Sequence, residues 1–167
     1  MSGATAHHRL AVLGGFFANG VVIGTWVVRI PAVKDRLGLG EGLLGLALLG
    51  AAVGALVAMP LVGALVSRFG SRRVVGTTAL LLSLSLVTPA IAPNLFLLVP
   101  ALMLLGAANG GLDVSMNAQA VVVESGYGRP IMSSFHAAWS FGGLVGAALG
   151  GLLASLGVGP LPHFSAV

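Results

Sequence analysis

Asn109, Asp113 and Asn117 follow one another at four-residue spacing, so on an α-helix they share one face. A carboxylate between two amides can carry a proton, bind a polar solute, or hold one helix against another. Its surroundings decide what such a group costs. Residues 74–112 contain no Asp, Glu, Lys or Arg, and Asp113 ends that run. A helix over 95–123 has its middle near Asn109, which places Asp113 about 6 Å further along at about 1.5 Å per residue. An ionised Asp at that depth in hydrocarbon costs about 2.5–3.5 kcal/mol on insertion scales. A carboxylate can also take up and release a proton, which suits a proton carrier. The competing role is a polar network that fastens helices together.

Three further side chains belong with this stripe. Asn19 lies at the centre of the apolar run 10–28. His136 and Ser140 are one helical turn apart on a later run, with Trp139 beside them. His136 and Asn117 share a similar expected depth, so they are predicted to meet if their helices are neighbours. Trp26 is expected in the interfacial aromatic belt and Arg29 as an anchor at the membrane surface.

The elements that position these residues follow from the charges. Hydrophobic residues make up 57% of the 167, charged residues 7%, and mean hydropathy is +1.05. A soluble domain carries about 25% charged residues, so a water-soluble particle is excluded. The net charge of +4 is spread over interhelical segments and reads as a topology signal, not a nucleic-acid surface. There is no cysteine, which excludes disulfides and thiolate metal sites; no metal or cofactor is expected. Residues 10–28, 42–67, 74–112 and 130–167 are free of Asp, Glu, Lys and Arg. About 20 apolar residues cross a bilayer as a helix, and Pro89, Pro93 and Asn94 divide the third run. The reading is an all-α membrane protein with five transmembrane helices, 10–28, 43–66, 74–92, 95–123 and 131–157. A tail at 1–9 precedes them and a tail at 158–167 follows. Continuous apolar runs exclude a β-barrel, whose strands alternate. The first run is too long for a secretory signal's apolar core, and more spans follow it.

Glycine, at 26 residues, is the other compositional mark. Gly20 and Gly24, Gly50 and Gly54, Gly106 and Gly110, and Gly142, Gly146 and Gly150 repeat at four-residue spacing. Such stripes let helix backbones approach closely in lipid. Five arginines (Arg9, Arg68, Arg72, Arg73 and Arg129) fall on one side of the five-span topology. Arg29, Lys34 and Arg36 fall on the other. The positive-inside rule therefore makes the N-terminus cytoplasmic.

The turn between the second and third spans carries Gly63, Ser67, Arg68, Gly70, Ser71, Arg72 and Arg73. As a physical object it is a basic turn whose arginines stay at the headgroups, with Gly70 permitting the reversal. The string resembles the loop 2–3 signature of the major facilitator superfamily, Gly-x-x-x-Asp-Arg-x-Gly-Arg-Arg. Ser67 stands in place of the Asp that helps latch the two halves of such transporters, and Ser71 in place of an Arg. The resemblance spans essentially the whole chain as the N-terminal portion of a twelve-helix transporter, ending before helix 6. The stretch Gly110, Gly111, Leu112, Asp113 to Asn117 is similar to one in fucose-permease-like sugar symporters. Together with the run from Tyr127 to His136, it also resembles a group of bacterial inner-membrane permeases. Gly142, Gly146, Gly150 and Gly151 resemble the fifth-helix motif of drug/proton antiporters, but Ala147 replaces its proline, which argues against an exporter.

The resemblance implies alternating-access transport of a small polar solute such as a sugar, coupled to protons and completed by a C-terminal half. Asp113, Asn109, Asn117, Asn19, His136 and Ser140 are then the pathway residues, with the lipid bilayer and the solute as partners. An intramembrane enzyme is disfavoured because no nucleophile elbow or zinc-ligating His pair is present. A five-helix scaffold subunit without catalytic activity is the alternative the residues leave open.

Overall fold

The computed structural model describes residues 3–167, with side chains from His7 onward. Seven helices follow in order: α1 Gly3–Arg36, α2 Glu41–Phe69, α3 Ser71–Leu86, α4 Thr88–Ile91, α5 Leu95–Ser125, α6 Met132–Ser155 and α7 Pro160–Ala166. Five segments are long and apolar enough to cross a membrane, with the short α4 completing the third. The protein is an all-helical, multi-pass membrane protein.

Two of the expected boundaries are corrected. The helix expected over 10–28 runs from Gly3 to Arg36 and takes in most of the tail expected at 1–9; residues 1 and 2 lie outside the described residues. Charged side chains end a hydrocarbon run but leave the backbone ladder intact. Termination comes at Gly38, whose positive φ of 61° favours glycine. The expected tail at 158–167 is instead folded: α7 buries His163 and Phe164. The third span also divides, because Pro89 at the start of α4 has no N–H to continue α3. The turn there is fastened by Arg36, which donates to the carbonyls of Pro89, Ala90 and Ala92.

Glycine determines which helices pair. On α1 a Cβ at Gly20 or Gly24 would overlap the backbone carbonyls of Trp139 and Gly143 on α6. Reciprocally, a Cβ at Gly142 or Gly146 would overlap the carbonyls of Phe17 and Val21 on α1. The same reciprocity joins α2 to α5, where Gly54 lies against Met103 and Gly106 against Ala51. The bundle is thus two closely packed pairs, α1 with α6 and α2 with α5, and α3 lies against α5. Between them Leu98, Leu102, Leu105 and Leu112 of α5 meet Phe16 and Val22 of α1 and Leu82 of α3 in a continuous core. Leu46, Leu56, Leu84, Phe96 and Leu144 point outward and form the apolar belt that lipid would cover.

Candidate functional site

The polar residues at mid-bundle lie where the two helix pairs meet. Asn19 is near the middle of α1 and only 4% exposed, so its amide must find partners inside the protein. It donates from Nδ2 to Asn109 Oδ1 on α5 at 2.9 Å. Its Oδ1 accepts from the Trp139 indole N–H on α6 at 2.6 Å. Three helices are joined through one amide.

Asp113 lies one turn along α5 from Asn109 and is half-buried. Its Oδ1 accepts from Asn117 Nδ2 at 3.1 Å, and the same nitrogen donates to the Asp113 carbonyl at 2.8 Å. No cation pairs with Asp113: among the described residues the one salt bridge joins Lys34 to Glu41. The carboxylate is held by a neutral amide alone.

The remaining pathway candidates are placed differently. The expected meeting of His136 with Asn117 does not occur, because α6 packs along α1 and barely touches α5. His136 is exposed and sets its ring edge-on to Phe16, with centroids 5.4 Å apart. Ser140 is exposed on the same helix. Trp26 and Arg29, expected at the membrane surface, are enclosed by protein. Trp26 is buried against the Phe164 ring, and Arg29, 3% exposed, donates to His163 Nδ1 at 3.0 Å and to the Val158 carbonyl at 2.8 Å. Both are covered by α7, which lies in the segment expected to be a tail.

At the basic turn Gly70 takes φ 83° and donates its N–H to the Val66 carbonyl, closing α2. Arg68 lies over the Phe69 ring. Ser67, in place of the signature's carboxylate, turns its hydroxyl back onto the Gly63 carbonyl of its own helix. Ser71 donates to Gln119 Oε1 at 2.8 Å, tying the start of α3 to α5. Arg72 reaches a cavity of about 430 Å³ between α1, α3 and α5, lined also by His8, Val12, Met116 and Gln119. None of Asn19, Asn109 and Asp113 lines it.

Sequence reasoning missed three contacts: Trp139 with Asn19, Ser71 with Gln119, and Arg29 with His163. Each joins residues far apart in the chain, and the four-residue glycine stripes at Gly20 and Gly142 were the signal that could have paired α1 with α6.

Five helices long and apolar enough to cross a membrane surround a polar mid-bundle cluster among the described residues, the arrangement of a multi-pass membrane protein. The model of the Major Facilitator Superfamily matches residues 11–164, and the chain belongs to that family. It is 41% identical over 145 residues to the uncharacterised transporter y4wD of Sinorhizobium fredii, covering 87% of this chain and 38% of that one. An uncharacterised MFS-type transporter of Yersinia pestis is 40% identical over 146 residues, with coverages of 87% and 38%. Membrane protein MosC of Rhizobium meliloti is 41% identical over 136 residues, covering 81% of this chain and 33% of the relative. The chain therefore spans little more than a third of the length of these relatives. No solved structure matches it. The family is one of transporters, not of enzymes.

Proposed function

We propose that the chain is the N-terminal portion of a proton-coupled secondary transporter for a small polar solute, working by alternating access in a bacterial inner membrane. Its N-terminus and the Arg68–Arg73 turn face the cytoplasm, as the positive-inside rule requires. Asp113 carries the coupling proton. Asn109 and Asn117 flank it on the pathway face, Asn19 orders that face, and His136 and Ser140 contribute from α6, His136 on the cytoplasmic side of Trp139. Gly63, Arg68, Gly70, Arg72 and Arg73 form the cytoplasmic turn between the second and third spans.

The observation that carries this reading is the carboxylate itself. Asp113 is half-buried near the middle of a membrane-crossing helix, with one amide as its side-chain partner and no cation against it. A hydrogen bond to a charged acceptor contributes about 1.5–3 kcal/mol, comparable with the insertion cost of about 2.5–3.5 kcal/mol. That bond offsets the cost but leaves the charge unneutralised, so a proton is the natural counter-ion.

The test uses the full-length protein in vesicles containing a pH-sensitive dye. A panel of neutral sugars, amino sugars, sugar acids and amino acids is screened for solute-driven proton entry. Asp113→Asn is expected to abolish proton entry while leaving solute exchange across the membrane. Proton entry unchanged in Asp113→Asn would remove Asp113 from coupling, and no response to any solute would remove the transport reading.

A further inference from the structure

We infer that Arg29 and His163 form an acid-sensitive clasp, which holds α7 against α1 while His163 is neutral and releases it once the imidazole takes up a proton. The clasp involves neither the solute nor Asp113, so it goes beyond the transport reading. His8 at the start of α1 and Arg72 of the basic turn line one cavity, so Arg29 lies toward the opposite end of the bundle. Under the topology proposed above, that end faces outside.

The two side chains are buried together, Arg29 3% and His163 4% exposed. A guanidinium can only donate, so the 3.0 Å contact from Arg29 Nε makes His163 Nδ1 an acceptor. The ring is therefore the neutral tautomer with its hydrogen on Nε2. A second proton turns Nδ1 into a donor. The hydrogen bond then becomes two N–H groups and two positive charges face to face, and the arginine does not give up its own proton. Burial, and after it the Arg29 charge, hold the His163 imidazole below the usual histidine value of 6.5. Docked α7 thus excludes a proton that free α7 binds. Docking is strongest above 6.5 and is lost as pH falls through the lower docked value.

The surroundings of the ring decide which element yields. Among the described residues, α1 turns Arg29 to it, while Lys34 is paired with Glu41 and Asp35 is exposed. From α6 the ring meets Gly150, where a Cβ would lie 3.0 Å from His163 Cε1. The α4 segment Thr88–Ile91 carries no titratable side chain, and Arg36 beside it is bonded to its carbonyls. Glycine contacts at Gly20 and Gly24 seat α1 on the α6 backbone. By contrast α7 is seven residues long and is joined to α6 through Gly157, at φ 76°, and Gly159. A charged ring therefore leaves Arg29 by carrying α7 away. Arg29 also donates to the Val158 carbonyl in that connection at 2.8 Å. One turn earlier on α1, Trp26 packs on the Phe164 ring with centroids 6.2 Å apart. The clasp has an apolar half that acid leaves alone and a polar half that acid breaks.

The test uses the full-length protein in nanodiscs, so that any charge supplied by the rest of the chain is counted. Spin labels are placed at Val27 on α1 and Ser165 on α7, both exposed and each next to a residue of the Trp26–Phe164 contact, with other cysteines replaced by serine. They broaden each other's spectrum while the helices touch. Spectra are compared at about pH 8.5 and about pH 4.5, either side of the usual histidine value of about 6.5. The parent is expected to be broadened at the higher pH and narrowed at the lower. Its docked-to-free ratio should fall by up to about tenfold per pH unit, the limit for one proton. His163→Gln, whose amide oxygen can accept from Arg29 but takes no proton in this range, should stay broadened at both. His163→Arg, a fixed charge, should be narrowed at both. Equal parent spectra at the two pH values, or the same narrowing in His163→Gln as in the parent, would overturn the clasp. So would His163→Arg as broad as the parent at about pH 8.5. Uptake is not part of the readout, so failure here leaves the transport reading standing.

Discussion

Substituting single glycines along α6 tests the packing on which the site depends. Gly146, Gly150 and Gly151 lie within one and a half turns of each other yet meet different surroundings. A Cβ at Gly146 would overlap the Val21 carbonyl of α1, which is backbone and cannot rotate away. At Gly150 it would meet a Val28 methyl, which can rotate, and His163 Cε1 at 3.0 Å. At Gly151 nothing lies within 4 Å. Carbon contacts are optimal at about 3.5–4.0 Å, so Gly146→Ala must part the helices by roughly 1 Å or more. A radial gap of about 0.5–1 Å already forfeits a quarter to a half of each dispersion contact along the seam. Overpacking of this kind costs about 1–3 kcal/mol, whereas Ala is intrinsically better than Gly in a helix by about 1 kcal/mol. The expected order of stability is Gly151→Ala at or above the parent protein, Gly150→Ala next, and Gly146→Ala lowest, about 0–2 kcal/mol below the parent after the propensity gain is set against the overpacking cost. Reversible unfolding in mixed detergent micelles, followed by circular dichroism, measures it. Equal stability of the Gly146 and Gly151 variants would refute the backbone contact between α1 and α6.

Two further outcomes follow from the ends of the bundle. Tyr127, the one tyrosine, lies between the fourth and fifth membrane spans and accepts a hydrogen bond from Arg9 at 3.0 Å, which holds its phenol below the usual pKa; charge from Arg9 and Arg129 adds to this. The stabilisation is present above the unfolded value of about 10 and lost as pH falls through the lower folded value. Arg9→Gln should move the tyrosinate absorbance titration upward, and an unmoved midpoint would count against the contact. At the start of α5 the Asn94 side chain accepts from the Leu97 N–H at 3.1 Å. Asn94→Ala should cost about 0.5–2 kcal/mol in the same unfolding assay, with Asn94→Ser recovering most of it; no loss would show that the cap is not used.

The membrane helices were legible in the sequence because the physics that makes them is one-dimensional. Charge-free length sets a span, and the spacing of Asn109, Asp113 and Asn117 sets a face. Ends were less legible, since α1 continues through Arg29, Lys34, Asp35 and Arg36 to a glycine turn. A hydropathy boundary marks where lipid stops, and a helix boundary marks where hydrogen bonding stops. Partners were least legible of all. The glycine stripe beyond His136 marks a close-packed face, but four stripes of the same spacing do not say which two pair, so the expected contact with Asn117 failed. The partners of Arg29 and Trp26 were hidden for the same reason: nothing near a charge and an indole at a helix end says that another segment, here α7, covers them.

Asp113 differs from the other charged side chains in what it holds. Glu124 accepts from the Ile131 and Met132 N–H groups, both at 2.6 Å, where a carboxylate suits the start of α6. Arg36 satisfies three carbonyls at the turn around α4, and Lys34 pairs with Glu41. Arg9 and Arg129 lie over the Tyr127 ring, and Arg29 fastens α7. These side chains complete a turn, a cap or a docking contact at an end of the bundle, where such work needs a charge or a strong donor. Asp113 completes none of these. Its amide partner comes from its own helix, so the contact joins no two elements. Helix-to-helix adhesion at this depth is already provided by Thr78 with Ser115 and by Asn19 with Asn109, all neutral groups. A structural network would therefore gain nothing from a carboxylate at this position that an asparagine could not supply. What an asparagine cannot do is exchange a proton.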